Sequence, residues 1–130
     1  MVLLIDANII LDVLLNRREF VKDSSMIWKL CETGKAKGYV SALTFANLVY
    51  IMRKQLAPEE IEDIFRKLSL IFDFTDLSVS DLTRAAELSW KDFEDAVQSV
   101  TAERIHADCI ITRNVRDFSG SRVIAFTPAE

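Results

Sequence analysis

The chain has 130 residues, 20 of them acidic and 16 basic, which gives a formal net charge of −4 at pH 7. Half the residues are hydrophobic, 28% are charged, and only three Gly and two Pro occur. That composition is globular and excludes a disordered tail, a coiled-coil rod and collagen-like or low-complexity chains. A domain of this length buries roughly two-thirds of its unfolded surface, so a full core needs no metal or disulfide staple. Apolar runs stop at about five residues, against about 20 for a membrane span. Asp6 comes almost at once and no basic n-region precedes it, so no signal peptide is expected. The reading is a single domain over residues 1–130, soluble and cytoplasmic, with no membrane partner. The acidic balance argues mildly against a protein that coats duplexes through non-specific phosphate contacts.

Val2 to Ile5 is a continuous apolar run ending at Asp6, the pattern of a strand buried on both faces. Ile9, Ile10, Val13 and Leu14 then recur at helical spacing, and residues 15–23 break the pattern as a loop. Ser24, Ile27, Trp28 and Cys31 mark a helix that Gly34 stops. Lys37 to Ser41 reads as a second strand and Ala42 to Leu56 as a helix. Pro58 suits the first turn of the next helix, whose stripe is Ile61, Ile64, Phe65 and Leu68. Ile71 to Phe74 is the third strand, and helices follow near 79–90 and 92–104. Cys109 to Thr112 and Arg122 to Phe126 complete five strands. Cys31 and Cys109 lie on separate elements and read as buried reduced thiols.

Strands alternating with helices imply an α/β fold, a three-layer αβα arrangement around a parallel sheet of about five strands. Ligands of such sheets bind beyond the carboxyl ends of the strands. Asp6 and Asn8 leave strand one there, and Asn47 is on the helix leaving strand two. The helix at 92–104 feeds directly into strand four and must run antiparallel to it. Asp92 and Asp95 are therefore placed on the same rim, as are Thr112, Asn114 and Asp117 after strand four. Asp108, at the start of strand four, falls on the opposite rim. Clustered carboxylates repel one another unless they share protons or hold cations, and oxygen donors of this kind suit Mg²⁺ or Mn²⁺ rather than Zn²⁺.

Each residue has a plainer reading. Asp92 can cap the helix it precedes, and Asp95 can simply favour the helix dipole. Asp6 and Asp117 can be turn formers, and Asn47 can be an ordinary surface amide. His106 is the only histidine, which excludes catalysis by paired histidines, and it fits a left-handed cap after the last helix. There is no G-x-S-x-G elbow and no glycine-rich phosphate loop. A phosphate-receiver domain is a rival, because acids follow strands one and three and Thr112 follows strand four. Such a domain wants a lysine after strand five, where this chain has Thr127 and Pro128.

Three segments carry a more specific likeness: Leu-Leu-Ile-Asp6-Ala-Asn8, Asp92-Phe-Glu-Asp95-Ala, and Ile-Ile-Thr112-Arg-Asn114-Val-Arg-Asp117-Phe118. Together they resemble the PIN-domain family, which includes the VapC toxin ribonucleases of toxin–antitoxin modules. The resemblance spans essentially the whole chain. It implies a Mg²⁺- or Mn²⁺-dependent endoribonuclease that cleaves single-stranded RNA, with Asp6 and Asp95 as the principal metal ligands. Asp117, or Asn114 in its place, would supply the last acidic position, with Thr112, Asn8 and Asp92 in support. An antitoxin protein and a homodimer are the partners it implies. Arg113 and Arg116 are the expected RNA contacts, with Arg17, Arg18 and Arg122 as further cations.

One departure stands out. The family usually has a glutamate in the helix after strand two, within a pattern like A-E-x-x-Y, where this chain reads Ala46-Asn47-Leu48-Val49-Tyr50. An amide oxygen can ligate a hard cation but brings no negative charge. Weaker metal binding is expected unless Asp92 or Glu94 compensates. A non-cleaving module that binds RNA or an antitoxin is the alternative.

Overall fold

Val2–Ile5 forms β1 at the centre of the sheet, with Leu3, Leu4 and Ile5 all buried. In the computed structural model, which describes residues 1–129, the strand order is β3-β2-β1-β4-β5 and every pairing is parallel. The flanking strands are β2 (Lys37–Ser41), β3 (Asp73–Thr75), β4 (Cys109–Ile111) and β5 (Ala125–Phe126). Leu3 pairs with Gly38 on one side and Cys109 on the other, so β1 is hydrogen-bonded along both edges.

Side chains of β1 alternate between two cores, as the pleat requires. Leu3 and Ile5 pack with α1 (Ala7–Leu14), α2 (Val21–Glu32), α3 (Ala42–Ile51) and α4 (Pro58–Ser69). Leu4 packs on the other face with Ala102, Ile110 and Phe118. That face is covered by α6 (Phe93–Arg104), which packs in turn on α5 (Val79–Leu88) through Ala85, Ala96, Val97 and Val100. The result is the expected three layers. Gly38 is required by close approach: a Cβ there would lie 2.6 Å from Cys31 Sγ and 2.9 Å from a Phe72 ring carbon. Both cysteines are buried and free.

Several boundaries differ from the sequence reading, each for a local reason. α2 begins at Val21 inside the expected loop, because its N-cap, Phe20, offers no side-chain hydrogen bond that the sequence could signal. α3 ends at Ile51, although Leu56 still packs on the core beyond it. Ile71 and Phe72 lie in the turn that follows α4, both donating to Leu68 O, so β3 starts only at Asp73. α5 ends at Leu88 on a left-handed Ser89 (φ 54°). In the fifth strand only Ala125 and Phe126 pair. His106 takes the left-handed conformation expected of it, with φ 56°.

Strands β2 and β3 lie on one side of β1, and β4 and β5 on the other. The carboxyl ends of β1 and β4 are therefore where the chain's course diverges, the position at which open α/β sheets bind ligands.

Candidate acidic site at the ends of β1 and β4

Asp6 follows β1 directly and caps α1. Its Oδ1 accepts from the Ala7 N–H at 2.9 Å, and its own N–H donates to Ile111 O at 3.0 Å. Its Oδ2 accepts from the Thr112 hydroxyl at 2.7 Å. Thr112 is fully buried and also accepts from the Asn114 N–H at 3.1 Å, so one hydroxyl ties the loop after β4 to the acid after β1. Asn8 sits beside them, donating to Asp6 Oδ2 at 3.5 Å and accepting from the Arg113 N–H at 3.4 Å. Burial raises the Asp6 pKa above the ordinary carboxylate value, against the opposing pull of Thr112, the Ala7 N–H and Gln98.

The other acids arrive from α6, which descends towards β4. Asp92 is its N-cap, accepting from the Asp95 N–H at 3.1 Å. Asp95, in the first turn, is half-buried, and its pKa is pushed up to about 7. Burial is the main cause, followed by the charges of Asp92, Asp6, Asp117 and Glu94. Asp95 thus feels acids from three separate segments, and its shift has the sign expected of uncompensated negative charge.

Two depressions share these side chains. An open groove of about 970 Å³ is lined by Asp92, Glu94, Asp95 and Asp117, with Trp90 and Lys91 beside them. A smaller cavity of about 70 Å³ is lined by Asp6, Asn47, Glu94, Asp95 and Gln98. Asn47, on α3, donates from Nδ2 to Glu94 Oε2 at 3.0 Å. Asn114 is the exposed residue before a 3-10 turn, Val115–Phe118, that carries Asp117.

Gln98 is a site residue the sequence reading missed, and Glu94 entered that reading only as an acid able to compensate for Asn47. Gln98 lies one turn after Asp95 on α6, and that i, i+3 spacing was the available signal. Its Nε2 donates to Thr44 Oγ1 at 2.9 Å, while its Oε1 is buried with no partner.

Arg113 and Arg116 are not among the residues lining the groove. The Arg113 guanidinium is turned to Asp12, with Nε 3.2 Å from Oδ2 as an ion pair, and lies over the Phe20 ring at 3.8 Å. Arg116 is exposed on the face beyond the 3-10 turn, Arg17 joins Arg113 on Asp12, and Arg122 donates to Glu103. Asp108 is on the opposite rim, accepting from the Val2 N–H at 2.7 Å.

The family model of the PIN domain matches residues 2–116. The chain belongs to the PIN-domain family. This PIN domain is similar in fold to VapBC2 from Rickettsia felis, solved bound to a promoter DNA fragment, with TM-score 0.74, 15% identity and 98% of each chain covered. It is similar to VapBC-1 from nontypeable Haemophilus influenzae, with TM-score 0.74 and 16% identity over all of both chains. A toxin–antitoxin complex from Klebsiella pneumoniae aligns at TM-score 0.69 and 24% identity, covering 96% of each chain. No curated protein matches this PIN domain in sequence.

Among the described residues, no group of three or more His, Cys, Asp or Glu side chains is close enough to hold a metal ion unaided. The donors present nonetheless fit a hydrated hard cation. Mg²⁺ typically takes one or two protein carboxylates and keeps several waters. Asp6 and Asp95 share a cavity with an amide oxygen that has no partner. All of these donors are oxygens, and no cationic side chain lines that cavity.

Proposed function

We propose that this PIN domain is a Mg²⁺- or Mn²⁺-dependent endoribonuclease acting on single-stranded RNA, and the toxin of a toxin–antitoxin pair. The observation that carries the reading is that Asp6, from the end of β1, and Asp95, from the first turn of α6, line one cavity at the point where the sheet diverges. Asp6 and Asp95 would hold the ion, with Asp117 the further acid and Asn8, Asp92, Thr112 and Asn114 in support. A bound ion of this class supplies an activated water and neutralises charge on a phosphodiester.

The chain's own residues do the positioning. Thr112 and the Ala7 N–H fix both oxygens of Asp6, so its carboxylate has no freedom to swing away. The Asp92 cap holds the start of α6 and with it the position of Asp95. In this reading Lys91, on the groove, and exposed Arg116, outside it, would meet RNA phosphates, whereas Arg113 serves by anchoring the loop to Asp12. Three of the structural neighbours are toxin–antitoxin assemblies, which supports an antitoxin partner. A homodimer and a cytoplasmic location are part of the same proposal. No helix among the described residues is long and apolar enough to cross a membrane.

The second reading, a PIN-like module that binds RNA or an antitoxin without cutting, is favoured by the neutral Asn47. Incubation of end-labelled single-stranded RNA with Mg²⁺, Mn²⁺ or EDTA separates the two. The nuclease reading predicts metal-dependent products that Asp6→Asn and Asp95→Asn each abolish. Products that survive both substitutions, or their absence with wild type, would contradict it.

A further inference from the structure

Asn47 lines the small cavity from α3, together with Leu43, Thr44 and Ile51, and it brings no charge. Its amide is nevertheless committed: Nδ2 donates to Glu94 Oε2 at 3.0 Å, a bond between residues 47 positions apart. Glu94 is otherwise exposed, on the first turn of α6, where an unrestrained glutamate would sample several rotamers. The bond from Asn47 restrains the carboxylate of a side chain that also lines the cavity. Glu94 lines both that cavity and the open groove, and it adds to the field that raises Asp95. Asp92, its neighbour on the same turn, is absent from the cavity lining and spends one oxygen on the helix cap.

A cluster of acids alone does not make a site, but Gln98 supplies an independent sign of one. It is 4% exposed, lines the same cavity, and leaves Oε1 without a partner. A buried carbonyl oxygen left empty is costly, and a cation or its water would recover that cost.

We propose that Glu94 supplies this ion site with a third carboxylate charge, acting through the ion's water and not as a direct ligand, and that Asn47 is its positioning residue, so that the charge absent from α3 is delivered from α6. The proposal rests on the metal-dependent reading above. In it, Gln98 Oε1 completes the oxygen donors on the α6 side. Ion affinity in oxygen sites is set largely by how many charged ligands are present and how rigidly they are held. Asn47 acts on the second of these, and Glu94 adds to the charge around the ion.

Mn²⁺ binding to the full chain, stripped with EDTA and followed by calorimetry, tests this without any RNA. Glu94→Gln should weaken Mn²⁺ by about tenfold or more, and Asn47→Ala by a smaller factor, because it loosens the carboxylate without removing its charge. If Asn47 works through Glu94, Asn47→Ala should cost less than about twofold in the Glu94→Gln background. The swap Asn47→Glu with Glu94→Gln, which returns the charge to α3, should bring affinity back to within about threefold of wild type. Each variant should still unfold in one cooperative transition in EDTA, which separates lost binding from lost folding. Wild-type affinity in Glu94→Gln, alongside lost binding in Asp6→Asn, would overturn this proposal and leave the metal-dependent reading standing. Additive losses for Asn47→Ala and Glu94→Gln would overturn the role given to Asn47. Absence of Mn²⁺ binding in wild type would overturn both readings together.

Discussion

The molecule withdraws aspartates from water in two quite different ways. Asp12, on α1, is fully buried and its charge is balanced: Ser24 Oγ donates at 2.8 Å, Arg17 Nη1 donates at 3.5 Å, and Arg113 Nε lies 3.2 Å from Oδ2 as an ion pair. Asp81 is 1% exposed and is treated likewise, with Arg104 at 2.9 Å and the Ser78 N–H at 3.2 Å. Burial pushes the Asp81 pKa up, but Arg104 and Ser78 outweigh it and the net shift is downward. Asp6 and Asp95 have hydroxyl, amide and N–H partners or none, with other acids facing them, and both titrate high. A carboxylate whose charge is balanced internally serves the fold, whereas one left unbalanced costs stability and has a function to account for that cost.

The largest effects should come from breaking the balanced set. Asp12→Ala strands Arg113 in a partly buried position and should destabilise by about 3 kcal/mol, as should Arg104→Met, which leaves Asp81 alone. Urea unfolding of each variant checks this, and a loss under 1 kcal/mol would mean the pairs are not compensating burial. Next comes pH. The Asp95 pKa of about 7 lies above the ordinary aspartate value of 3.8, so the folded protein binds the extra proton between those limits. Stability contributed through Asp95 should therefore fall as pH rises from about 4 to about 7 and level off above. Asp81, shifted downward, behaves oppositely: its contribution is complete above pH 3.8 and is lost as pH falls below it. Metal-free unfolding free energies against pH should show the first slope in wild type and lose it in Asp95→Asn. Smallest is Arg113→Lys, which keeps the charge on Asp12 but gives up the planar stack on Phe20. About 1 kcal/mol of stability is at stake, read from the shift in the urea midpoint.

This contrast was half visible in the sequence. The rim placement of Asp6, Asp92, Asp95 and Thr112 follows from chain direction alone, because a parallel strand and the helix feeding the next one fix which end is up. The apolar run of β1 and the alternation of elements gave the layers for the same reason. What the sequence withheld was pairing between its distant ends. Arg113 looks like a free cation for phosphate until the fold lays the loop after β4 against α1 and Asp12 captures it. Asp12 carried a hint, an acid on the apolar face of ANIILDVL, but its partners could not be chosen from among the arginines. Gln98 and Glu94 were hidden similarly, since their meaning depends on which side chains α3 presents across the cavity. Boundaries of α2 and α3 were missed where no capping side chain or proline marks them.

The most direct test is the melting temperature of wild type and Asp95→Asn at pH 7.5, each in EDTA and in saturating Mn²⁺. If the acids at the ends of β1 and β4 are uncompensated and kept for a cation, Asp95→Asn should melt higher than wild type in EDTA. Mn²⁺ should then raise the wild type and leave the variant nearly unmoved. A variant that melts lower in EDTA and still gains from Mn²⁺ would contradict the account, because Asp95 would then belong with Asp12 and Asp81 among the balanced acids.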